Sequence, residues 1–158
     1  MRQPGFTLLE VIMVIAIIAI LATLALPSQL GQITQKKLIE TLELVEPYKK
    51  PIEGYYRLHG GNFPEDNKAV GLPEPDQIIG NYLRKMEIRD GVMHLYLGNK
   101  MPENLHDKII SIRPVFVEDS ISSPISWICG YDKKPLGMEV AGTNLTSVEK
   151  LFLPGRCR

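Results

Sequence analysis

Glu10 is the first residue whose surroundings demand a chemical explanation. It is the one ionisable group in Phe6–Leu26 (FTLLEVIMVIAIIAILATLAL), a run of 21 residues that is otherwise apolar or small. A carboxylate inside hydrocarbon costs on the order of 3 kcal/mol unless it is paired, so a segment built only to anchor would place it outside. The next chemical pair is Cys129 and Cys157, the only two cysteines, a pattern expected for one disulfide in an oxidising compartment. Lys133, Lys134, Lys150, Arg156 and Arg158 then make the C-terminal end more basic than the whole, which invites contact with DNA or another anionic surface. Asp132, Glu139 and Glu149 lie among them, and a solvated loop has the same composition. His59, His94 and His106 have no metal-ligand spacing with each other or with the cysteines, and no nucleophile elbow, phosphate loop or HExxH occurs. No enzyme, cofactor or metal site is expected.

The elements that must hold these groups begin with the apolar run itself. As a helix rising about 1.5 Å per residue it would cover roughly 30 Å, the hydrocarbon core of a bilayer. Arg2 is the only basic residue before Lys36, so the positive-inside rule keeps the N-terminus cytoplasmic and sends the rest across. About 130 of the 158 residues remain for one small soluble domain. Eighteen basic and eighteen acidic residues cancel, so bulk charge selects no partner. A cleavable secretory signal ending in the small residues Ala22 to Ala25 and an ordinary signal anchor with Glu10 near the interface are two readings of the run. A third comes from resemblance, below.

From Ser28 to about Leu58 the pattern is amphipathic and helical, with Leu38, Leu42, Val45, Ile52 and Tyr56 on the face that should pack on a sheet. Lys36 and Glu40 can pair across one turn on the opposite face. Pro47 and Pro51 predict a kink or a break between Leu44 and Lys50, with a restart at Pro51 as a first-turn residue. His59 to Arg89 is rich in glycine and proline and reads as a structured loop. Strands are expected at Val92–Leu97, Ile109–Val117 and Ile125–Cys129, with turns at Asp90-Gly91 and Gly98-Asn99. Pro114 belongs at a sheet edge or bulge, and Trp127 in the core. Asn144-Leu145-Thr146 is formally a glycosylation sequon of little weight. An α+β fold follows: a long N-terminal helix packed on an antiparallel sheet of three or four strands, in the outline of a ladle.

Gly5, Phe6, Thr7, Leu8, Leu9 and Glu10, followed by the long apolar run, resemble the prepilin cleavage and methylation signature of type IV pilins. The run GYYRLHGGNFPEDNKAVGLPEPDQIIGNYL, the segment PISWICG and the ending LPGRCR resemble the same family, so the resemblance covers nearly the whole chain. It implies a leader at 1–5, an assembly helix at 6–27 and a globular domain at 28–158. It implies that a prepilin peptidase cuts after Gly5, that the new amine of Phe6 is N-methylated, and that Glu10 of one subunit meets Phe6 of another in the filament. Pro27 matches a proline at which pilin helices bend or melt on assembly. Many major pilins carry two tyrosines where this chain has Gln29 and Gln32. The disulfide loop closed by Cys129 and Cys157 would be exposed on the filament and carry adhesive or DNA-contacting surface. Function on this reading is structural. The subunit waits in the inner membrane, is handled by the pilus assembly machinery, and polymerises into an extracellular fimbrium serving adhesion, twitching motility and DNA uptake. A minor pilin for competence, a type II secretion pseudopilin, and a membrane-anchored binding module that never polymerises are the alternatives.

Overall fold

A computed structural model describes Gly5 and residues 7–158, without the side chains of 24–30. The chain divides into two compact units, one up to Ile33 and one from Thr34 onward. Helix α1, Leu8–Val45, runs through both. Its helical assignment is unbroken at Pro27, whose side chain lies outside the described residues.

Proline chemistry ends α1. Pro47 has no N–H to offer the carbonyl of Glu43, and Val45, the last residue of α1, is still right-handed at φ −95° and ψ −4° but loosened from ideal helix values. A single 3-10 turn over Glu46–Tyr48 follows, and α2, Lys49–Leu58, starts at once. The expected break is present, but the restart falls two residues earlier than Pro51. Pro51 sits third in α2, where a backbone N–H would have no helical partner anyway. The apolar face carries through the break: Leu38, Leu42, Val45, Ile52 and Tyr56 are all buried.

That face packs against a sheet of order β1-β2-β3-β4, antiparallel throughout, with a short β5 beside β3. The strands are β1 Leu83–Arg89, β2 Val92–Leu97, β3 Ile109–Phe116, β4 Ser126–Cys129 and β5 Glu139–Val140. Leu83, Met86, Ile88, Met93, Leu95, Leu97, Ile110 and Ile112 supply its share of the core. β2, β3 and β4 lie within a residue of the expected strands. β1 is a correction, because its seven residues fall in the segment read as loop. Four of them are charged, and a register shift between Leu83 and Lys85 breaks the alternation that would have marked the strand. The turn into β2 is as expected: Asp90 and Gly91 both have positive φ, 51° and 78°, the pair that a two-residue hairpin needs.

Pro114 is inside β3 rather than at an edge of the sheet, opposite Trp127 of β4. Its carbonyl accepts the N–H of Ala141, so its missing N–H falls on the same side, where β2 has ended and β5 takes over. The pair of Pro114 with Ala141 therefore makes one hydrogen bond where two are usual, just past the end of the short β5. Trp127 is half-buried, not a core residue, because β4 is an edge strand. Its indole N–H donates to Glu53 Oε1 at 2.8 Å, and the Lys49 ammonium lies 5.7 Å from its ring centroid. Lys36 does not pair with Glu40, whose Oε1 accepts from Asn81 Nδ2 at 2.9 Å. The long connection into β1 is held by buried Asn67. Its Nδ2 donates to the carbonyls of Pro73 and Met86, and its Oδ1 accepts from the N–H of Ile88.

Candidate functional site

The site begins where α1 begins. Thr7 is the residue before the first helical turn and Glu10 is the third residue within it. Glu10 N–H donates to Thr7 Oγ1 at 3.3 Å, while Thr7 N–H and Oγ–H each reach Glu10 Oε2 at 3.4 Å. This is a reciprocal cap that satisfies two of the donors a helix start leaves open, and it puts the carboxylate in the first turn, where the helix dipole favours negative charge. The spacing Thr7-x-x-Glu10 is the sequence signature of such a cap. Gly5 is exposed. Met1 to Pro4 and Phe6, the leader and the residue expected to be methylated, lie outside the described residues, as does the side chain of Pro27.

Beyond the cap the helix is apolar on every side. Leu8, Leu9, Val11 to Ile15, Ile17, Ile18, Ile20 and Leu21 are each more than half exposed, from 51% for Val11 to 78% for Leu8. Among the described residues no helix is long and apolar enough to cross a membrane. The expected span also draws on Phe6 and on the side chains of Leu24 to Leu26, which are not described. A helix that is apolar all round needs a cover; lipid and other helices are the two that exist.

The second feature is the C-terminal loop. Cys129 and Cys157 are joined, with Cα atoms 4.5 Å apart and a sequence separation of 28. The Tyr131 N–H donates to the Cys157 carbonyl, and Gly130 N–H donates to Ser111 in β3. Gly130 has φ +60°, and a Cβ there would lie 2.5 Å from the Cys157 carbonyl oxygen, so only glycine fits beside the bridge. The sequon asparagine is used internally: Asn144 Nδ2 donates to the Gly130 carbonyl and its Oδ1 accepts from Thr146 N–H.

Three of the five basic residues expected near this loop have side-chain partners. Lys134 pairs with Glu139 at 2.7 Å, Lys150 stands 5.5 Å from the Tyr131 ring centroid, and Arg158 Nε donates to the Leu153 carbonyl at 2.9 Å. Arg156 lines a small cleft with Asp132, Glu46 and Lys49. Lys133 gives only its backbone N–H, to Asp132 Oδ1.

A buried polar chain that sequence reading missed ties this loop to the sheet. His94, 1% exposed, meets Ser111 Oγ through Nδ1 at 3.0 Å, and the same Oγ accepts the N–H of Leu145 at 2.9 Å. Ser111 N–H donates to Thr146 Oγ1. Burial, aided by the Arg89 charge, pushes the His94 pKa below its ordinary value, against the opposing pull of Glu87 and Asp90. Beside it, burial alone would raise the Glu87 pKa, but hydrogen bonds from Arg89 and Tyr96 and the charges of Arg89 and Lys85 lower it. Burial likewise lowers Arg113, whose Nε has no hydrogen-bond partner. Among the described residues no group of three or more His, Cys, Asp or Glu side chains could hold a metal ion.

Comparison with known proteins covers both features. Residues 1–26 match the model of the prokaryotic N-terminal methylation motif, and residues 37–158 match that of pilin, the bacterial filament protein. A type IV major pilin protein of Neisseria gonorrhoeae is 29% identical over 99% of this chain and 87% of its own length. Fimbrial proteins of Neisseria meningitidis are also similar. One, from serogroup B, is 28% identical over 99% of this chain and 94% of its own length. Another, from serogroup A, is 30% identical over 84% of this chain and 75% of its own length.

Proposed function

The chain belongs to the pilins, the bacterial filament subunits, and from that premise we propose how its own residues serve assembly. It is a structural subunit of a pilus that polymerises with other pilin subunits, and it is not an enzyme. The observation that carries the assembly reading is the helix from Leu8 to Leu21, apolar and exposed all round, that opens on a self-capped carboxylate. Such a rod is unstable in water. It sits in the inner membrane first and in a bundle of like helices afterwards, so the finished protein is part of an extracellular fimbrium.

On this reading a prepilin peptidase cuts between Gly5 and Phe6, the Phe6 amine is N-methylated, and the amine of one subunit pairs with Glu10 of a neighbour. The Thr7 cap keeps the carboxylate hydrogen-bonded until that cation arrives, which lowers the cost of holding it in lipid. Pro27 is the position at which α1 yields on assembly. The relatives named as major pilins support a major rather than a minor subunit, although Gln29 and Gln32 stand where many major pilins have tyrosines. Adhesion, twitching motility and DNA uptake are roles of the assembled filament, with Lys133, Lys134, Lys150, Arg156 and Arg158 as its DNA-facing candidates.

Mass spectrometry of the mature protein tests the first step. The expected N-terminus is methylated Phe6; an intact leader in cells with a working peptidase refutes the reading. Glu10→Ala is expected to leave the subunit in the membrane without filaments, and unimpaired filaments would remove Glu10 from assembly. DNA binding should fall with rising salt and with neutralisation of Lys133, Lys134 and Arg156; binding unchanged by those substitutions removes that role.

A further inference from the structure

The end of α2, the loop after it and the turn between β1 and β2 surround an open cavity of about 440 Å³. Aromatic rings from three elements line it: Tyr55 of α2, Phe63 of the loop and Phe116 of β3, with the end of β5 as the remaining wall. These rings are half-buried and held from behind. The ring centroid of buried Tyr56 is 4.5 Å from that of Phe63 and 5.8 Å from that of Phe116, and Phe63 meets Phe116 edge to face at 5.4 Å and 62°. Tyr55 is stacked flat on His59 with 3.7 Å between centroids, and His59 Nδ1 donates to the Tyr55 carbonyl at 2.9 Å. The Gly91 N–H donates to the Pro64 carbonyl at 2.8 Å, and a Cβ on Gly91 would run into the Phe63 side chain. The loop is thus clamped to the hairpin turn, and the cavity is built by contacts rather than left between loose side chains.

Asn62, Glu65 and Asp90 are the polar side chains of this cavity, and no basic side chain lines it. The Asn62 amide is turned to the His59 carbonyl. Neither carboxylate has a hydrogen bond or an ion pair among the described residues. Arg89, beside Asp90 in sequence, gives its hydrogen bond to Glu87 at 2.8 Å and reaches Asp90 only through space. Two unpaired negative charges therefore stand beside ring faces whose quadrupole is negative as well. Such a lining repels anions and attracts cations.

We infer that this cavity binds an organic cation of the trimethylammonium class, with Tyr55, Phe63 and Phe116 around its methyl groups and Glu65 and Asp90 balancing its charge. Aromatic side chains with a nearby carboxylate suit a quaternary ammonium because its charge is spread over apolar methyl groups. A primary ammonium is a compact, strongly hydrated point charge and gains less from rings. A neutral sugar would need a flat platform, whereas Phe63 and Phe116 form a corner. The volume leaves room beyond the headgroup for the chain that carries it. The site belongs to the globular domain and does not depend on the filament.

The test uses the full chain in maltoside micelles, a detergent without a choline group, titrated with choline and followed by NMR of the aromatic side chains. Saturable shifts of the Tyr55, Phe63 and Phe116 signals are expected, stronger with choline than with ethanolamine and weakened by salt. Phe116→Leu should weaken choline binding roughly fivefold. If that variant does not fold, the carboxylates decide, because Glu65 and Asp90 are exposed and asparagine tolerates the positive φ of Asp90. Asp90→Asn combined with Glu65→Gln should weaken binding severalfold while leaving the urea midpoint in place. No saturable binding, binding unchanged by the carboxylate variants, or glucose shifting the same signals more strongly than choline would each overturn the proposal. The pilin reading is untouched by these results, since it is tested at the mature N-terminus.

Discussion

Acid should loosen the attachment of the disulfide loop, and His94 sets where. The imidazole is 1% exposed and shares Ser111 Oγ with the Leu145 N–H. While His94 is neutral, its Nδ1 can accept the serine proton as the serine oxygen accepts from Leu145, so the hydroxyl and the Leu145 N–H are both satisfied. Protonation turns Nδ1 into a donor, leaves the serine proton without its acceptor and buries a charge near Arg89. The folded-state pKa therefore lies below the ordinary value of about 6.5. Between those two values the unfolded chain binds more protons than the folded one. The contribution is full above about pH 6.5 and is lost as pH falls toward the folded value. One group can give a slope of at most about 1.4 kcal/mol per pH unit in this window. Urea denaturation of the full chain in detergent micelles from pH 8 to pH 5 measures it, with amide exchange at Leu145 as a local readout. His94→Gln should flatten the slope. Equal slopes in both proteins, or stability that rises on acidification through this window, would refute the reasoning.

Three further outcomes are expected. Reduction of Cys129–Cys157, or its replacement by a serine pair, should cost roughly 3.5 kcal/mol on the chain-entropy model, read as a lower urea midpoint. Asn67→Ala should leave the Ile88 N–H and the Met86 carbonyl unsatisfied in the core, destabilising the fold by about 1–3 kcal/mol in the same assay; a neutral result would mean that water takes over these bonds. Thr7→Ala should weaken the start of α1 by about 1 kcal/mol, seen as faster amide exchange at Glu10, whereas Thr7→Ser should retain protection.

What could be read from the chain depended on how local each constraint was. The break between α1 and α2 follows from two missing N–H groups at Pro47 and Pro51, and the hairpin from Asp90-Gly91 with its positive φ angles; both are decided within a few residues. β1 was not legible, because Arg84, Lys85, Glu87 and Arg89 look solvated. Only the pairing with β2 and the burial of Leu83, Met86 and Ile88 make that stretch a strand. Pro114 misled in the opposite sense. A proline argues for an edge, yet this one occupies a central strand at the point where its neighbour changes from β2 to β5, a feature of topology and not of composition.

The candidate site divides along the same line. Glu10 stood out because a charge in an apolar run is costly wherever the chain folds, and the spacing to Thr7 carried its cap as well. The His94–Ser111–Leu145 chain left no such mark. Its members are 17 and 34 positions apart, and a lone histidine in an alternating strand looks like any surface residue. The two kinds of polar group have different tasks. The first is local because it must be satisfied on a helix that changes surroundings from lipid to protein, where no distant partner stays in place. The second is non-local because it fastens a loop whose covalent closure, at Cys129 and Cys157, fixes only its ends. A disulfide limits how far that loop can stray, but the buried hydrogen bonds decide which face of it rests on the sheet. The side of the loop left exposed is set by that attachment, so disturbing His94 should free the loop before it unfolds the domain.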